Sequence, residues 1–263
     1  MRLPIYQVDA FTNRVFAGNP AAVVPLDQWL PDDQLLAIAA ENNLSETAFF
    51  VRHEDVFEIR WFTPAVEVEL CGHATLAASF VIATLLEPGR TRMDYLTRQA
   101  GTLTVTREGD VFTLDFPCRP PVPTDNPLPA LRAALGGPAP EAIFDGRDYL
   151  VVYRSEEEVR ALTPDMMALA KIDTHAVCVT APGRDGVDFV SRLFAPAQGI
   201  PEDPVTGSTH CTLIPYWAER LGKTNLVARQ VSARGGDLAC TLAGDRVKIG
   251  GKGVLYLEGT ITV

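Results

Sequence analysis

The chain has 263 residues, room for one large domain or two of ordinary size, and its hydrophobic fraction of 47% is ample for a sizeable core. A net charge of −10, with no run of five basic residues, excludes the clustered Lys and Arg that a nucleic-acid surface needs. The five cysteines are odd in number and scattered without C-x-x-C spacing, the usage of a reduced intracellular protein.

The start, Met1-Arg2-Leu3-Pro4, lacks the basic and apolar regions of a signal peptide. The longest uncharged apolar run, 74–86, is shorter than the roughly 20 residues that span a bilayer. The expectation is a soluble, cytoplasmic protein with no membrane partner.

In chain order, residues 5–11 and 21–26 read as short strands around the turn signal Gly18-Asn19-Pro20. Pro31-Asp32-Asp33 opens a helix, because proline suits the first turn and carboxylates favour the positive end of the dipole. Leu35, Ile38 and Ala39 give that helix an apolar face, and Asn42-Asn43 end it. Residues 47–51 with 57–62, and 103–106 with 111–116, are expected hairpins. Between them the run 74–86, opened by Gly72-His73 and stopped by Glu87-Pro88-Gly89, reads as a buried central helix. The proline-rich stretch 117–129 is stiff and extended, a candidate linker. Beyond it come a short helix near 130–135, strands at 150–153, 176–180 and 187–194, and a helix after Thr206. A strand-rich tail follows, with glycine turns at Gly235-Gly236, Gly244-Asp245 and Gly250-Gly251.

The halves resemble one another. Phe62-Thr63-Pro64-Ala65 matches Phe194-Ala195-Pro196-Ala197 at an offset of 132 (194 − 62), and Gly72 matches Gly207 at 135 (207 − 72). Each glycine is expected to open a helix, and the three extra residues in the second copy are assigned to Glu202-Asp203-Pro204. An internal repeat of this length implies duplicated domains.

Three segments carry candidate chemistry. His73 enters the central helix at its positive end, which suits an anionic substrate group and pushes the imidazole toward its neutral form. Asp203 and Ser208 stand beside the second glycine-opened helix, where Asp203 is placed to exchange a proton or orient an amine. Helix capping by Thr206 or Ser208 explains the same residues without chemistry. Glu46 lies between a helix end and the apolar strand Thr47-Ala48-Phe49-Phe50, a place for a general acid/base, although an exposed glutamate is the plainer reading. Cys71 and His73, two residues apart, are not expected to face each other, which argues against a nucleophilic Cys71. Cys71-x-His73 and His210-Cys211 lack the spacing of structural zinc ligands, and no metal is expected. Neither a G-x-G-x-x-G nor a G-x-x-x-x-G-K-[ST] pattern is present, so nucleotide binding has no support.

Asp9-Ala10-Phe11-Thr12, Gly18-Asn19-Pro20-Ala21-Ala22-Val23, Asn43-Leu44-Ser45-Glu46-Thr47, Arg60-Trp61-Phe62-Thr63-Pro64, Glu69-Leu70-Cys71-Gly72-His73-Ala74-Thr75 and Glu202-Asp203-Pro204-Val205-Thr206-Gly207-Ser208 occur in this order along both halves. Together they resemble the PhzF family, the phenazine-biosynthesis isomerases and their relatives. The resemblance implies an α+β, diaminopimelate-epimerase-like fold: two similar domains, 1–117 with Glu46 and His73 and 126–263 with Asp203 and Ser208, each a curved mixed sheet around a central helix. The last strand is free to return to the first domain. The family's base maps onto Glu46, with His73 and Asp203 as its catalytic companions and Gly72, Gly207 and Ser208 as substrate contacts. In the epimerases two cysteines act as acid and base. At those places the resemblance puts Gly72 and Asp203, so the two-thiol mechanism is not expected here. The implied function is a cofactor-independent isomerase and homodimer acting on a small carboxylate-bearing metabolite, similar to trans-2,3-dihydro-3-hydroxyanthranilate isomerase. An amino-acid racemase or epimerase is the alternative enzyme, and a non-catalytic binding or scaffold protein the alternative from another class.

Overall fold

The structure, a computed structural model, describes residues 1–124, 126 and 128–263. Asp125 and Pro127, both within the stretch read as a linker, lie outside the described residues. The chain divides into two compact units, Met1–Phe116 with Ile249–Val263, and Pro117–Lys248.

The first unit begins with β1 (Arg2–Ala10), β2 (Asn19–Leu26), helix α1 (Asp32–Asn42) and the hairpin β3 (Glu46–His53) and β4 (Val56–Phe62). A two-residue strand β5 (Glu67–Val68) leads into helix α2 (Gly72–Val81), followed by β6 (Arg92–Leu96), β7 (Thr102–Glu108) and β8 (Val111–Pro117). The sheet is mixed: β2 with β3 and β4 with β6 are parallel, and the remaining neighbours described here are antiparallel. Asn43 ends α1 in the left-handed region, φ 50°, with its N–H on Ala39 O.

Every residue of α2 except Phe80 is buried, and the helix packs against β1, β2 and β3. Its buried hydroxyls are satisfied inside the helix. Thr75 Oγ1 donates to Cys71 O at 2.6 Å and Ser79 Oγ to Thr75 O at 2.8 Å. A π-helical turn, Ile82–Leu86, carries the segment to its end.

The second unit contains β9 (Val122–Pro123), α3 (Pro129–Leu135), β10 (Ala142–Asp145), β11 (Tyr149–Val152), α4 (Glu156–Ala161) and α5 (Met166–Leu169). Then come β12 (Val177–Pro182), β13 (Phe189–Ala195), β14 (Ile200–Asp203), α6 (His210–Leu221), β15 (Asn225–Gln230) and β16 (Gly236–Ala243). The chain passes back to the first unit within β17 (Arg246–Gly251), and β18 (Gly253–Thr262) pairs antiparallel with β1. Trp217 anchors α6 to the sheet, stacked on Phe189 at 5.6 Å and donating Nε1–H to Thr180 Oγ1 at 2.9 Å.

The two sheets repeat one pattern. In the first, β2 is parallel to β3, β3 antiparallel to β4, and β4 parallel to β6. In the second, β11, β12, β13 and β15 pair in the same senses. A side-chain device repeats with them. Arg60 lies over the Phe62 ring at 4.9 Å and forms a bidentate pair with Glu67, both bonds 2.7 Å. Arg192 lies over Phe194 at 4.9 Å and grips Glu202 at 2.8 and 3.0 Å.

This match relocates the three-residue insertion. Trp61 pairs with Val68, and its counterpart Leu193 pairs with Asp203, so the larger offset already applies at Glu202 and Asp203. The extra residues lie earlier, around the tight turn Pro196–Gln198 and Gly199 (φ 79°), where the register of β13 and β14 shifts.

Other expectations also change. Gly207 does not open α6; it sits in a turn three residues ahead, where His210 N bonds Gly207 O and Cys211 N bonds Ser208 O. Gly250-Gly251 is strand, not turn, and a Cβ on Gly251 would lie 2.3 Å from Phe11 Cδ1, which explains the glycine. The proline-rich stretch is not all linker, since β9 pairs with β10. The strands β5, β6, β10, β14 and β15 and the short helices α4 and α5 are elements the pattern did not reveal.

Candidate active site

The start of β3 places Glu46 beside the first turn of α2. Glu46 Oε2 lies 3.2 Å from His73 Nε2, with the two side chains 12% and 5% exposed. Glu46 is therefore not the exposed residue that its sequence context favoured. On the other edge of the ring, Asn19 Nδ2 is 3.2 Å and Cys71 Sγ 3.4 Å from His73 Nδ1. In a neutral ring Nδ1 accepts from Asn19 and the proton sits on Nε2, facing Glu46. In a charged ring Nδ1–H turns to Cys71 Sγ.

Burial opposes the charged ring, as the start of α2 does, but Cys71 and Glu46 outweigh it and the His73 pKa is raised. This corrects the expectation of a neutral His73. The Cys71 thiol is itself pushed up to about 11, by burial first and then by the Glu46 charge, so it is protonated at neutral pH. Cys71 does face His73, because its extended backbone (φ −137°, ψ 110°) ahead of α2 turns Sγ toward the ring. A thiol with so high a pKa remains a poor nucleophile.

In the second unit Asp203 closes β14, and its Oδ2 accepts from Thr206 Oγ1 in a short buried hydrogen bond. Gln230, fully buried at the end of β15, staples the loop: Nε2 donates to Asp203 O at 2.7 Å, and Oε1 accepts from Thr206 N at 2.9 Å. His210 Nδ1–H donates to Thr206 O at 2.8 Å, and burial lowers its pKa to about 4, so the ring is neutral. Gly207 is buried in the turn after Thr206, and Ser208 Oγ accepts from Arg147 Nη2 at 3.5 Å.

The structure thus joins Glu46 to His73 and sets Asp203, Gly207 and Ser208 along one short loop. Asn19, Cys71, Thr206 and Gln230 join these clusters without having been singled out as site residues. Asn19 had been read as a turn residue, and Gln230 carries no local signal.

Residues 8–259 match the family model PhzC-PhzF, described as phenazine biosynthesis-like protein. The chain belongs to the PhzF family. A Pseudomonas aeruginosa protein named as an uncharacterized isomerase is 51% identical to this PhzF-family chain over 261 residues, 99% of each. The crystal structure of a PhzF-family protein from Enterococcus faecalis matches it with TM-score 0.96 and 46% identity over 100% of both chains. A hydroxyproline epimerase from Agrobacterium vitis, at 11% identity and TM-score 0.62 over 99% of this chain and 92% of its own, shares the fold alone. The PhzF-family fold here is α+β and diaminopimelate-epimerase-like. No helix among the described residues is long and apolar enough to cross a membrane.

Proposed function

We propose that this chain is a cofactor-independent isomerase of a small carboxylate-bearing metabolite, in which Glu46 carries a proton from one carbon to another. The observation that supports this most is the nearly buried Glu46–His73 pair, a carboxylate base beside a charged ring donor. As Glu46 takes the proton, His73 Nε2–H stabilises the negative charge left on the substrate. The positive end of α2, at Gly72 and His73, suits the substrate carboxylate. Asp203, held by Thr206 and Gln230, orients the substrate, with Gly207 and Ser208 as further contacts. The working unit is a homodimer, which sedimentation tests.

The deciding experiment incubates the protein in D2O with trans-2,3-dihydro-3-hydroxyanthranilate and a panel of small unsaturated hydroxy and amino acids. Deuterium at a second carbon, absent with Glu46→Gln, is the expected result. Deuterium confined to one stereocentre makes the protein a racemase or epimerase instead. Full turnover by a folded Glu46→Gln variant removes Glu46 from the mechanism.

A further inference from the structure

The Glu46–His73–Cys71 cluster has a property that proton transfer does not use. It sets one carboxylate oxygen, one imidazole nitrogen and one sulfur within 4.8 Å of one another, all in the interior. No other trio of His, Cys, Asp and Glu among the described residues meets this condition. Two of the atoms, Glu46 Oε2 and His73 Nε2, are buried without a well-aligned hydrogen bond although only 3.2 Å apart. Ligand atoms about 2.0–2.2 Å from a tetrahedral zinc are separated by about 3.4 Å, so this pair is already spaced as one edge of such a shell.

We propose that Glu46 Oε2, His73 and Cys71 Sγ form a binding site for a thiophilic divalent cation of the zinc type. Mixed oxygen, nitrogen and sulfur donors select a borderline-soft ion over magnesium or calcium, which need shells of oxygen. Cys71 Sγ now lies 3.4 Å from Nδ1, so its side chain must rotate for Sγ to enter the shell. As the metal–sulfur bond forms, the thiol proton leaves to solvent, and nothing is oxidised or reduced. Three protein ligands leave a fourth position of a tetrahedral ion for water or a small anion. With the metal on Nε2, Nδ1–H needs an acceptor, and Asn19 supplies its amide oxygen by turning its side chain over. An ion held here removes Glu46 and His73 from any proton transfer, making the site inhibitory. Metal binding does not depend on Glu46 being the catalytic base.

The test uses Co2+ alone, titrated into a Cys118→Ser variant, because Cys118 is the one cysteine that is not buried. The expected spectrum has a thiolate-to-metal charge-transfer band and the intense visible absorption of four-coordinate cobalt. Adding Cys71→Ala removes the charge-transfer band, and adding Glu46→Gln weakens binding by about tenfold or more. Weak six-coordinate absorption alone, or a charge-transfer band that survives Cys71→Ala, overturns the proposal. Should Cys71→Ala fail to fold by circular dichroism, cadmium-113 NMR of the Cys118→Ser protein decides. A downfield resonance from a sulfur-bearing site supports the assignment, and an upfield all-oxygen resonance or none refutes it.

Discussion

His73 Nε2 stands 3.2 Å from Glu46 Oε2, and the carboxylate is one of the two neighbours that favour a charged ring. Burial works against the imidazolium, whereas Cys71 and the Glu46 carboxylate both favour it. Glu46→Gln removes that charge and keeps the shape. The expected outcome is a fall in the His73 pKa, because one of the groups that favour the charged ring is then neutral. Imidazole resonances followed by NMR across a pH series measure it. An unchanged His73 titration would show that Glu46 does not hold the ring charged.

Arg60 has a side chain 1% exposed, pairs with both Glu67 and Asp32, and lies over Phe62. Arg60→Ala leaves the Glu67 carboxylate with only the longer, 3.4 Å contact to the exposed Arg98 and should cost about 3 kcal/mol. Arg192→Ala disrupts the equivalent device and also removes the donor that Val159 O and Leu162 O accept from at 3.1 and 2.9 Å, so it should cost at least as much. Urea unfolding of both variants checks the order. A clearly smaller loss for Arg192→Ala would mean that its two carbonyl bonds contribute little.

How far the sequence revealed this molecule depends on whether the signal was local. The helix run after Gly72 is apolar over its whole length and reads plainly as a central helix. β14 was hidden because Pro201 and Pro204 mimic a turn, and only its pairing with β13 makes it a strand. β15 alternates buried and exposed residues, but its inward positions are Leu226, Ala228 and Gln230, which do not read as an apolar face. Glu46 and His73 are 27 residues apart (73 − 46), so their contact is invisible to any local pattern. The family motif marked both residues, and the fold explains why they belong together. Asn19 and Gln230 act through partners distant in the chain, and no spacing rule points to them.

Thr206 links three parts of its loop: its Oγ1 donates to Asp203 Oδ2 and accepts from Gln230 Nε2 at 3.3 Å, and its N–H bonds Gln230 Oε1. Thr206→Val keeps the volume and deletes the hydroxyl, removing a donor from a buried carboxylate. The expected loss is about 1–3 kcal/mol of stability. Thr206→Ser, which restores the hydroxyl, should recover most of it in thermal unfolding. If both variants unfold like the parent, the short Asp203–Thr206 bond is not part of what holds the loop.

His210 predicts an acid-sensitive fold. Its folded pKa is about 4, lowered by burial, whereas a free histidine titrates near about 6.5. Between those values the unfolded chain binds a proton that the folded chain refuses, so stability rises with pH across that window. Acidification from about pH 6.5 to below 4 should therefore remove about 3 kcal/mol through this one ring. His210→Asn offers an amide N–H to Thr206 O in place of Nδ1–H but has no proton to gain. The expected result is a smaller difference in urea stability between pH 7 and pH 4.5 than in the parent protein. His175, also shifted down by burial, titrates in both proteins and cancels from the comparison. An acid dependence unaltered by His210→Asn would assign the acid sensitivity to other groups.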